Sequence, residues 1–371
     1  MARRWLKAII VVMVLGLAAS IVIMGVAWLL VSFAPVADAL GKALSHKAIA
    51  FEQQGRYAEA ELLLKASLAV SEGALGTEDP MVTLRLDDLA EMYNRHGRFA
   101  EAVRLDNRTL AIREKALGPD HPSVAQSLNN LAGLYQNQGR FAEAEPLYKR
   151  SLAIWEKALG PKDPSVALSL NNLGELYRNQ GRYSEAETLL KRSFGIRVEA
   201  LGPYHPDVAQ GLYNLAGLWQ TQGRDDEAEP LFKASLTIWE NALGPNHPNV
   251  ALSLNHLAML YKKQGRYTEA EPLLKRILEI AEQAPGPKHS DLALNLDNLA
   301  ELYRQQHRYA EAEALYKRSL RVRETTFGPE HTLVTRSLNG LAVLYHDQGR
   351  YREAEPLLRR SLAIEENTLG R

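Results

Sequence analysis

Apolar residues recur along most of the chain at the spacing of an amphipathic helix. Between residues 122 and 137, one set follows i, i+3, i+4 and i+7, the spacing of a single helix face: Leu128, Leu131, Ala132 and Tyr135. A second stripe of this kind follows Gly139: Phe141, Ala144, Tyr148, Ser151 and Leu152. Gly160 and Pro161 end it. We therefore predict a first and a second helix, which bury their apolar faces by stacking on neighbouring pairs.

The step between the two helices, Gly-Arg, recurs every 42 residues. Glycine occupies it seven times and His307 takes its place once: Gly55, Gly97, Gly139, Gly181, Gly223, Gly265 and Gly349. A fixed period of this length is typical of stacked helical arrays. We predict an all-α fold, an α-solenoid of about eight helix-turn-helix repeats over residues 37–371. The predicted repeats are 38–79, 80–121, 122–163, 164–205, 206–247, 248–289, 290–331 and 332–371.

Turn residues set the predicted helix ends. Gly139 and its equivalents suit a left-handed cap after each first helix. Proline suits the first position of the next repeat's first helix: Pro122, Pro164, Pro206 and Pro248. The residue before each proline suits the N-cap: His121, Asp163, His205 and His247. Because Pro146 and its equivalents would kink a longer helix, the second helix is expected to begin no earlier than about Phe141.

The N-terminal segment has a different pattern. Residues 8–31 are almost wholly apolar and carry no charge. At a rise of about 1.5 Å per residue they would extend roughly 36 Å, enough to cross a hydrocarbon core of about 30 Å. We predict a transmembrane helix here, so that residues 1–36 form a cytoplasmic tail and membrane anchor. A cleaved signal peptide and a buried solenoid helix remain as alternatives.

Charge around this segment suggests its orientation. Arg3, Arg4 and Lys7 precede it, whereas the lysines on the other side, Lys42 and Lys47, lie farther away. The positive-inside rule therefore favours a cytoplasmic N-terminus with the repeats outside the cytoplasm. We expect a single-pass protein of a bacterial inner membrane, with its repeats on the periplasmic side.

The repeat resembles the tetratricopeptide repeats of kinesin light chains and their bacterial relatives. The resemblance rests on Leu128-Asn129-Asn130-Leu131-Ala132, Gly139-Arg140, Ala142-Glu143-Ala144-Glu145-Pro146-Leu147 and Gly160-Pro161, and covers about residues 40–371. It implies a superhelix whose first helices line a concave groove that binds other proteins. Kinesin light chains also contain a heptad coiled coil that engages the motor. A predicted membrane helix stands in its place here, so motor association is not implied.

The composition excludes several classes of ligand and of chemical site. Lys plus Arg and Asp plus Glu number 44 each, so the net charge is zero and nothing indicates binding of nucleic acid. Cysteine is absent, which excludes disulfides and thiolate metal sites. A histidine recurs once per repeat, too widely spaced for a shared metal ion, so we interpret it as a capping acceptor: His121, His205, His247, His289 and His331. We expect no cofactor, no metal and no catalysis.

Three rungs of residues are predicted to face the groove. The first reads Asp87, Asn129, Asn171, Tyr213, Asn255, Asp297 and Asn339. The second reads Glu91, Gly133, Glu175, Gly217, Met259, Glu301 and Val343. The third includes Gln136, Arg178, Gln220, Lys262 and Arg304, with Lys263 beside it. Asparagines of the first rung could bond to an extended peptide backbone. The neighbouring set is interpreted as structural: Asn130, Asn172, Asn214 and Asn298.

Two further surfaces are predicted. One register of the second helices is predicted to be exposed: Arg113, Trp155, Arg197 and Trp239. We interpret it either as a ladder of stacked side chains or as a contact patch. At the last second helix, an apolar set without a capping helix suggests a homodimer: Leu357, Leu358, Leu362 and Ile364.

These features favour a membrane-tethered scaffold that binds an extended protein segment in its groove. Four basic residues suggest an acidic segment: Arg178, Lys262, Lys263 and Arg304. The alternative is a non-catalytic subunit of an enzyme or of a secretion or signalling complex.

Overall fold

The computed structural model describes residues 34–283 and 289–370. Within these ranges the chain forms sixteen α-helices, one short 3-10 helix and no strand, so the all-α expectation is confirmed. The predicted membrane helix, residues 8–31, lies outside these ranges. Among the helices described, none is long and apolar enough to cross a membrane.

The helices fall into two compact units, residues 1–181 and 182–371. Those of unit 1 are α1 (Ala34–Gln53), α2 (Tyr57–Leu75), the 3-10 helix (Pro80–Val82), α3 (Thr83–Arg95), α4 (Phe99–Leu117), α5 (Pro122–Asn137), α6 (Phe141–Leu159) and α7 (Pro164–Asn179). Those of unit 2 are α8 (Tyr183–Leu201), α9 (Pro206–Thr221), α10 (Asp225–Leu243), α11 (Pro248–Lys263), α12 (Tyr267–Gln283), α13 (His289–Gln305), α14 (Tyr309–Phe327), α15 (Thr332–Asp347) and α16 (Tyr351–Leu369).

The predicted N-caps are confirmed. The Nδ1 atom of His121 accepts a hydrogen bond from the backbone N–H of Ser123 at 3.1 Å, and Asp163 accepts from Ser165 at 2.8 Å. The other histidines that cap in this way are His205, His247 and His331. The side chain of His289 lies outside the residues whose side chains the structure describes. The recurring histidines are therefore capping acceptors, which relieve one unpaired amide at each helix start.

Turns between paired helices have the predicted left-handed backbone. Gly139 has a φ of 72°, which is strained for residues with a Cβ. His307 has a φ of 61° and is the one non-glycine residue with positive φ in the described ranges. Helix α6 begins at Phe141, as predicted.

The arginine after the turn joins three elements in five of the repeats: Arg98, Arg224, Arg266, Arg308 and Arg350. Arg266 stacks on the ring of Tyr261 at 4.0 Å and donates to Glu269 at 2.7 Å and to Glu229 at 2.8 Å. Tyr261 also donates to Glu229, at 2.9 Å. These bonds, with Arg266 the largest contributor, lower the pKa of Glu229 to about 2. In these repeats the arginine thus fixes the turn and ties it to the second helix of the preceding repeat.

Small side chains let paired helices pack closely. Leu128, Ala132 and Ala144 are fully buried between α5 and α6, and Tyr148 is almost so. Burying a leucine of this kind stabilises by about 1.5–3 kcal/mol. The hydroxyl of Ser151 donates to the carbonyl of Ala125 at 2.8 Å, so the polar group that is buried with them is satisfied.

The prediction of an exposed face on the second helices is wrong. The four side chains assigned to it are between 0% and 7% exposed: Arg113, Trp155, Arg197 and Trp239. The second helices α4, α6 and α10 each pack against their own first helix and against the first helix of the next repeat. Arg113 donates to Ser127 of α5 at 2.8 Å, for example, and the indole of Trp239 donates to the carbonyl of Pro206 at 3.1 Å.

Candidate binding groove

A cavity of about 630 Å³ runs along three consecutive first helices of unit 1. Its volume is typical of a ligand pocket. Helices α3, α5 and α7 supply most of the lining: Asp87, Ala90, Glu91, Asn94, Gln126, Asn129, Asn130, Gly133, Leu134, Gln136, Asn137, Asn172 and Glu175. Asp106 and Tyr148 reach it from the second helices α4 and α6. First helices therefore line this cavity, as the resemblance implies.

Amide side chains connect the helices that line it. The amide of Asn172 donates to Asn129 at 3.1 Å, and the amide of Asn137 donates to Asn94 at 3.1 Å. Each bond joins first helices of adjacent repeats. An amide has two donors and an acceptor with two lone pairs, so one such bond leaves capacity for a ligand. The lining is thus ordered and still able to form hydrogen bonds.

The carboxyl groups of the cavity differ in their partners. Asp87 is paired with Arg113, Glu91 with Arg95 and Glu175 with Arg178. Asp106 forms no hydrogen bond or ion pair with any residue that the structure describes. Burial raises the pKa of Asp87 and of Glu175.

Asp106 has the largest shift of the three. Burial, reinforced by the charge of Asp87 and opposed by that of Arg113, raises the pKa of Asp106 to about 7. None of the residues that line the cavity is basic. The cavity is therefore an acidic, amide-lined groove.

Some of the groove residues predicted in unit 1 line the cavity, and others are buried or held in ion pairs. Asn129 and Gln136 line the cavity, although only 6% of Asn129 is exposed. Asn171 is buried at 7% exposure, and Arg178 is 2.6 Å from Glu175. Asn172, interpreted as structural, does bond to Asn129 and also lines the cavity. Sequence reasoning missed Asp106, although it breaks the apolar pattern of the second helices.

In unit 2, several predicted groove residues are already engaged. Tyr213 packs against the rings of Trp239 and His256, and Gln220 bonds to His256 at 2.7 Å. Asp297 is buried against Arg323. Asn255 is half-buried and Asn339 is exposed.

The basic residues predicted to bind an acidic segment are mostly in ion pairs. Lys263 is 2.6 Å from Asp225, and Arg304 is paired with Glu301 and Asp347. Lys262 is half-buried, and burial lowers its pKa, with Glu301 opposing and Arg304 reinforcing the shift. Of the four, Lys262 alone has no ion pair within the described ranges. Within those ranges, no group of three or more metal-ligating side chains is placed to hold a metal ion.

Comparison with known families gives one match, which recurs along the chain. The family described as tetratricopeptide repeat matches seven overlapping segments: residues 38–115, 82–157, 123–199, 165–233, 207–283, 250–325 and 291–367. No curated protein matches the chain.

Solved structures with related repeats come from several organisms. BtubC (BKLC) from P. vanneervenii is 23% identical, with a TM-score of 0.55 over 62% of this chain and 92% of its own. A Podosopora anserina protein described as a kinesin light chain with nearly identical TPR-like repeats is 32% identical, with a TM-score of 0.46 over 55% of this chain and 97% of its own. A STAND signal-transduction ATPase with a tetratricopeptide repeat sensor, from Pyrococcus horikoshii, is 15% identical, with a TM-score of 0.62 over 83% of this chain and 44% of its own. The family match confirms the predicted resemblance to tetratricopeptide repeats.

Proposed function

This chain belongs to the tetratricopeptide repeat family, and on that premise we propose that it binds an extended segment of another protein along its first helices. Repeats of this family act in protein–protein interaction and are typically non-catalytic. The observation that carries the proposal is the cavity of unit 1, which three first helices line with amide and carboxyl groups.

The chemistry of the lining favours an extended segment over a helical one. Backbone N–H and C=O groups of a helix are bonded to each other, whereas those of an extended segment are available. The half-buried side chains Gln126, Asn130 and Gln136 offer donors and acceptors for such groups. A segment lying across α3, α5 and α7 would exchange its bonds with water for bonds with these amides.

The charges do not favour the acidic segment expected from the sequence. Arg178, Lys263 and Arg304 are held in ion pairs, and an acidic ligand would have to displace their partners. The cavity of unit 1 carries carboxylates instead. The proposed ligand is therefore an extended protein segment without the acidic character that the sequence suggested.

The membrane anchor remains part of the proposal. Its support is the uncharged apolar run of residues 8–31 and the basic residues before it, Arg3, Arg4 and Lys7. In this arrangement the N-terminus lies in the cytoplasm of a bacterial cell and the repeats project to the periplasmic side. The tether would hold the groove close to the membrane, where a partner would meet it.

Self-association through α16 is a second possible use of the repeats. Leu358 and Leu362 are 50% and 56% exposed, which supports it. Ile364 is fully buried, so the prediction that it is uncovered is wrong. Sedimentation of the chain and of Leu358→Glu tests this use, because a dimer held by this face should dissociate in the variant.

Filling the cavity tests the proposed binding. At Gly133 an added Cβ would lie 3.5 Å from the Tyr148 hydroxyl, and equivalent positions hold side chains as large as Glu175. Gly133→Gln should therefore fold and fill the groove. Gly195→Gln is the matched control, because Gly195 is an exposed helical glycine of α8 with open space around it.

The probe is a library of random, unstructured decapeptides, selected on the full chain in detergent. We expect the native chain and Gly195→Gln to enrich the same sequences, and Gly133→Gln to bind them at least tenfold more weakly. Failure of the native chain to enrich any sequence, or equal binding by Gly133→Gln, would contradict the proposed function.

A further inference from the structure

Asp106 occupies a position that other second helices fill with an apolar or aromatic side chain. The equivalent residues, at intervals of 42, are Leu64, Tyr148, Leu190, Phe232, Leu274, Tyr316 and Leu358. Six of these seven are at most 5% exposed, so the position belongs to the core of the repeat. Asp106 is itself 5% exposed. Asp106 is thus a carboxyl group at a position that is hydrophobic in the other repeats.

The Asp106 carboxyl has no partner within the described part of the chain. The charge of Arg113 acts on Asp106, but the Arg113 guanidinium already donates to Asp87, Ser127 and Thr83. The carboxyl opens into the cavity of unit 1. Two acceptors on other residues of the lining, Asp87 Oδ1 and Glu175 Oε1, are buried without a hydrogen bond in the described residues.

We propose that this part of the cavity receives the lysine or arginine side chain of a bound segment, with Asp106 as its counter-ion. The inference rests on the proposed function, since it assigns the chemistry of the segment that the groove binds. A buried carboxylate without a partner is unfavourable, and an entering cation supplies both the opposite charge and the hydrogen bonds that are missing.

Other observations agree with a basic ligand. The lining provides no cation of its own, so nothing there competes for Asp106. A metal ion is a poor alternative, because no group of three or more ligating side chains in the described ranges could hold one. The half-buried amides Gln126, Asn130 and Gln136 lie in the same lining and can bond to the backbone on either side of the basic residue.

The test uses the decapeptide library with the full native chain, Asp106→Asn and Asp106→Leu. Asp106→Asn removes the charge, and Asp106→Leu restores the residue type of the other repeats, so both variants should fold. Asp226→Asn is the control, because Asp226 is an exposed carboxylate of α10 and its change alters net charge equally. Thermal melting by circular dichroism confirms that each variant is folded.

We expect the native chain and Asp226→Asn to enrich peptides with lysine or arginine at one fixed position. Replacing that residue by glutamine in a selected peptide should weaken binding at least tenfold to the native chain and less than threefold to Asp106→Asn. Enrichment without a basic preference, or a preference that persists in both Asp106 variants, would overturn this inference and leave the proposed function standing. If no peptide is enriched at all, the proposed function fails and the inference fails with it.

Discussion

Arg323 donates a hydrogen bond to Asp297, 26 residues earlier, across 2.6 Å, and both side chains are buried. The same separation joins Arg113 to Asp87 in unit 1. The two partners lie on the second and first helices of one repeat. The first rung predicted for the groove is therefore, at these two positions, a packing position that joins the paired helices.

Breaking this pair should destabilise unit 2. Arg323→Met would leave the Asp297 carboxylate buried without its partner, and loss of one member of a buried pair costs about 3–5 kcal/mol. The exposed Arg336, 3.5 Å from Asp297, would compensate only in part. We expect a lower melting temperature for the purified variant.

A double variant provides the control. Asn129 and Trp155 occupy the equivalent positions in another repeat, so Asp297→Asn with Arg323→Trp should recover most of the lost stability. Arg323→Met with an unchanged melting temperature would show that the pair does not stabilise the fold.

The sequence predicted helix ends well because single residues determine them. Pro122 starts α5, Gly139 ends the pair's turn at positive φ, and Phe141 starts α6. Exposure was predicted less well. A helical stripe shows which face packs within one pair, but it does not show which face the next repeat covers. This is why the pattern predicts exposed surfaces for Trp155 and Trp239, which are buried.

Of the candidate site, the sequence predicted the helices that line it and several of its residues: Asp87, Glu91, Asn129, Gly133, Gln136 and Glu175. It did not predict Asp106, because the three predicted rungs all lie on first helices and Asp106 lies on the second helix α4. Comparing equivalent positions of the second helices would have found it, as the one acidic residue in an otherwise apolar or aromatic series.

Replacing His307 by glycine should stabilise the chain. His307 adopts the left-handed backbone that glycine adopts at the other seven equivalent turns, and a residue with a Cβ is strained there by about 1–2 kcal/mol. A 2.7 Å contact between His307 Nδ1 and the Tyr309 hydroxyl would be lost, so we expect a net gain below 1 kcal/mol. The reverse change, Gly139→Val, should lower stability by about 1–2 kcal/mol. Melting curves that shift in the opposite directions would contradict the left-handed assignment.

The histidine caps should stabilise the helices that they begin. His121 caps α5 by accepting a hydrogen bond from the Ser123 amide at Nδ1. His121→Ala should therefore cost about 0.5–2 kcal/mol, whereas His121→Asp should retain the cap. Thermal melts of the two variants test this, and an unchanged melting temperature for His121→Ala would count against the capping role.

The anchor can be tested by extraction. We expect the full chain to stay with the membrane pellet after an alkaline carbonate wash, because an apolar run of 24 residues is long enough to span the bilayer. Without residues 1–36, the repeats should appear in the supernatant. Protease added to spheroplasts should digest the repeats if they lie on the periplasmic side. Recovery of the intact full chain in the wash would show that residues 8–31 do not anchor it.

Asp106 should make the stability of unit 1 depend on pH in the direction opposite to that of a salt-bridged carboxylate. Its pKa is about 7 in the folded chain, against about 3.9 for an unfolded aspartate, so the folded state binds the proton more tightly. Its contribution to stability is therefore most favourable below about pH 4, declines as pH rises towards 7, and stays at its lowest above that.

Replacing Asp106 by leucine removes this dependence. Asp87 and Arg113 act on Asp106 in the folded chain, and Glu91, Glu175 and Tyr148 face the same cavity, but all five remain in the variant. The difference in unfolding free energy between Asp106→Leu and the native chain therefore isolates Asp106. We expect the variant to be more stable by about 1–3 kcal/mol at pH 8, the usual cost of burying a polar group without a partner, and by much less at pH 5. Asp226→Asn should show no such trend. An equal difference at both pH values would mean that Asp106 does not ionise in a buried site. It would then contradict the role of Asp106 as the counter-ion of a bound cation.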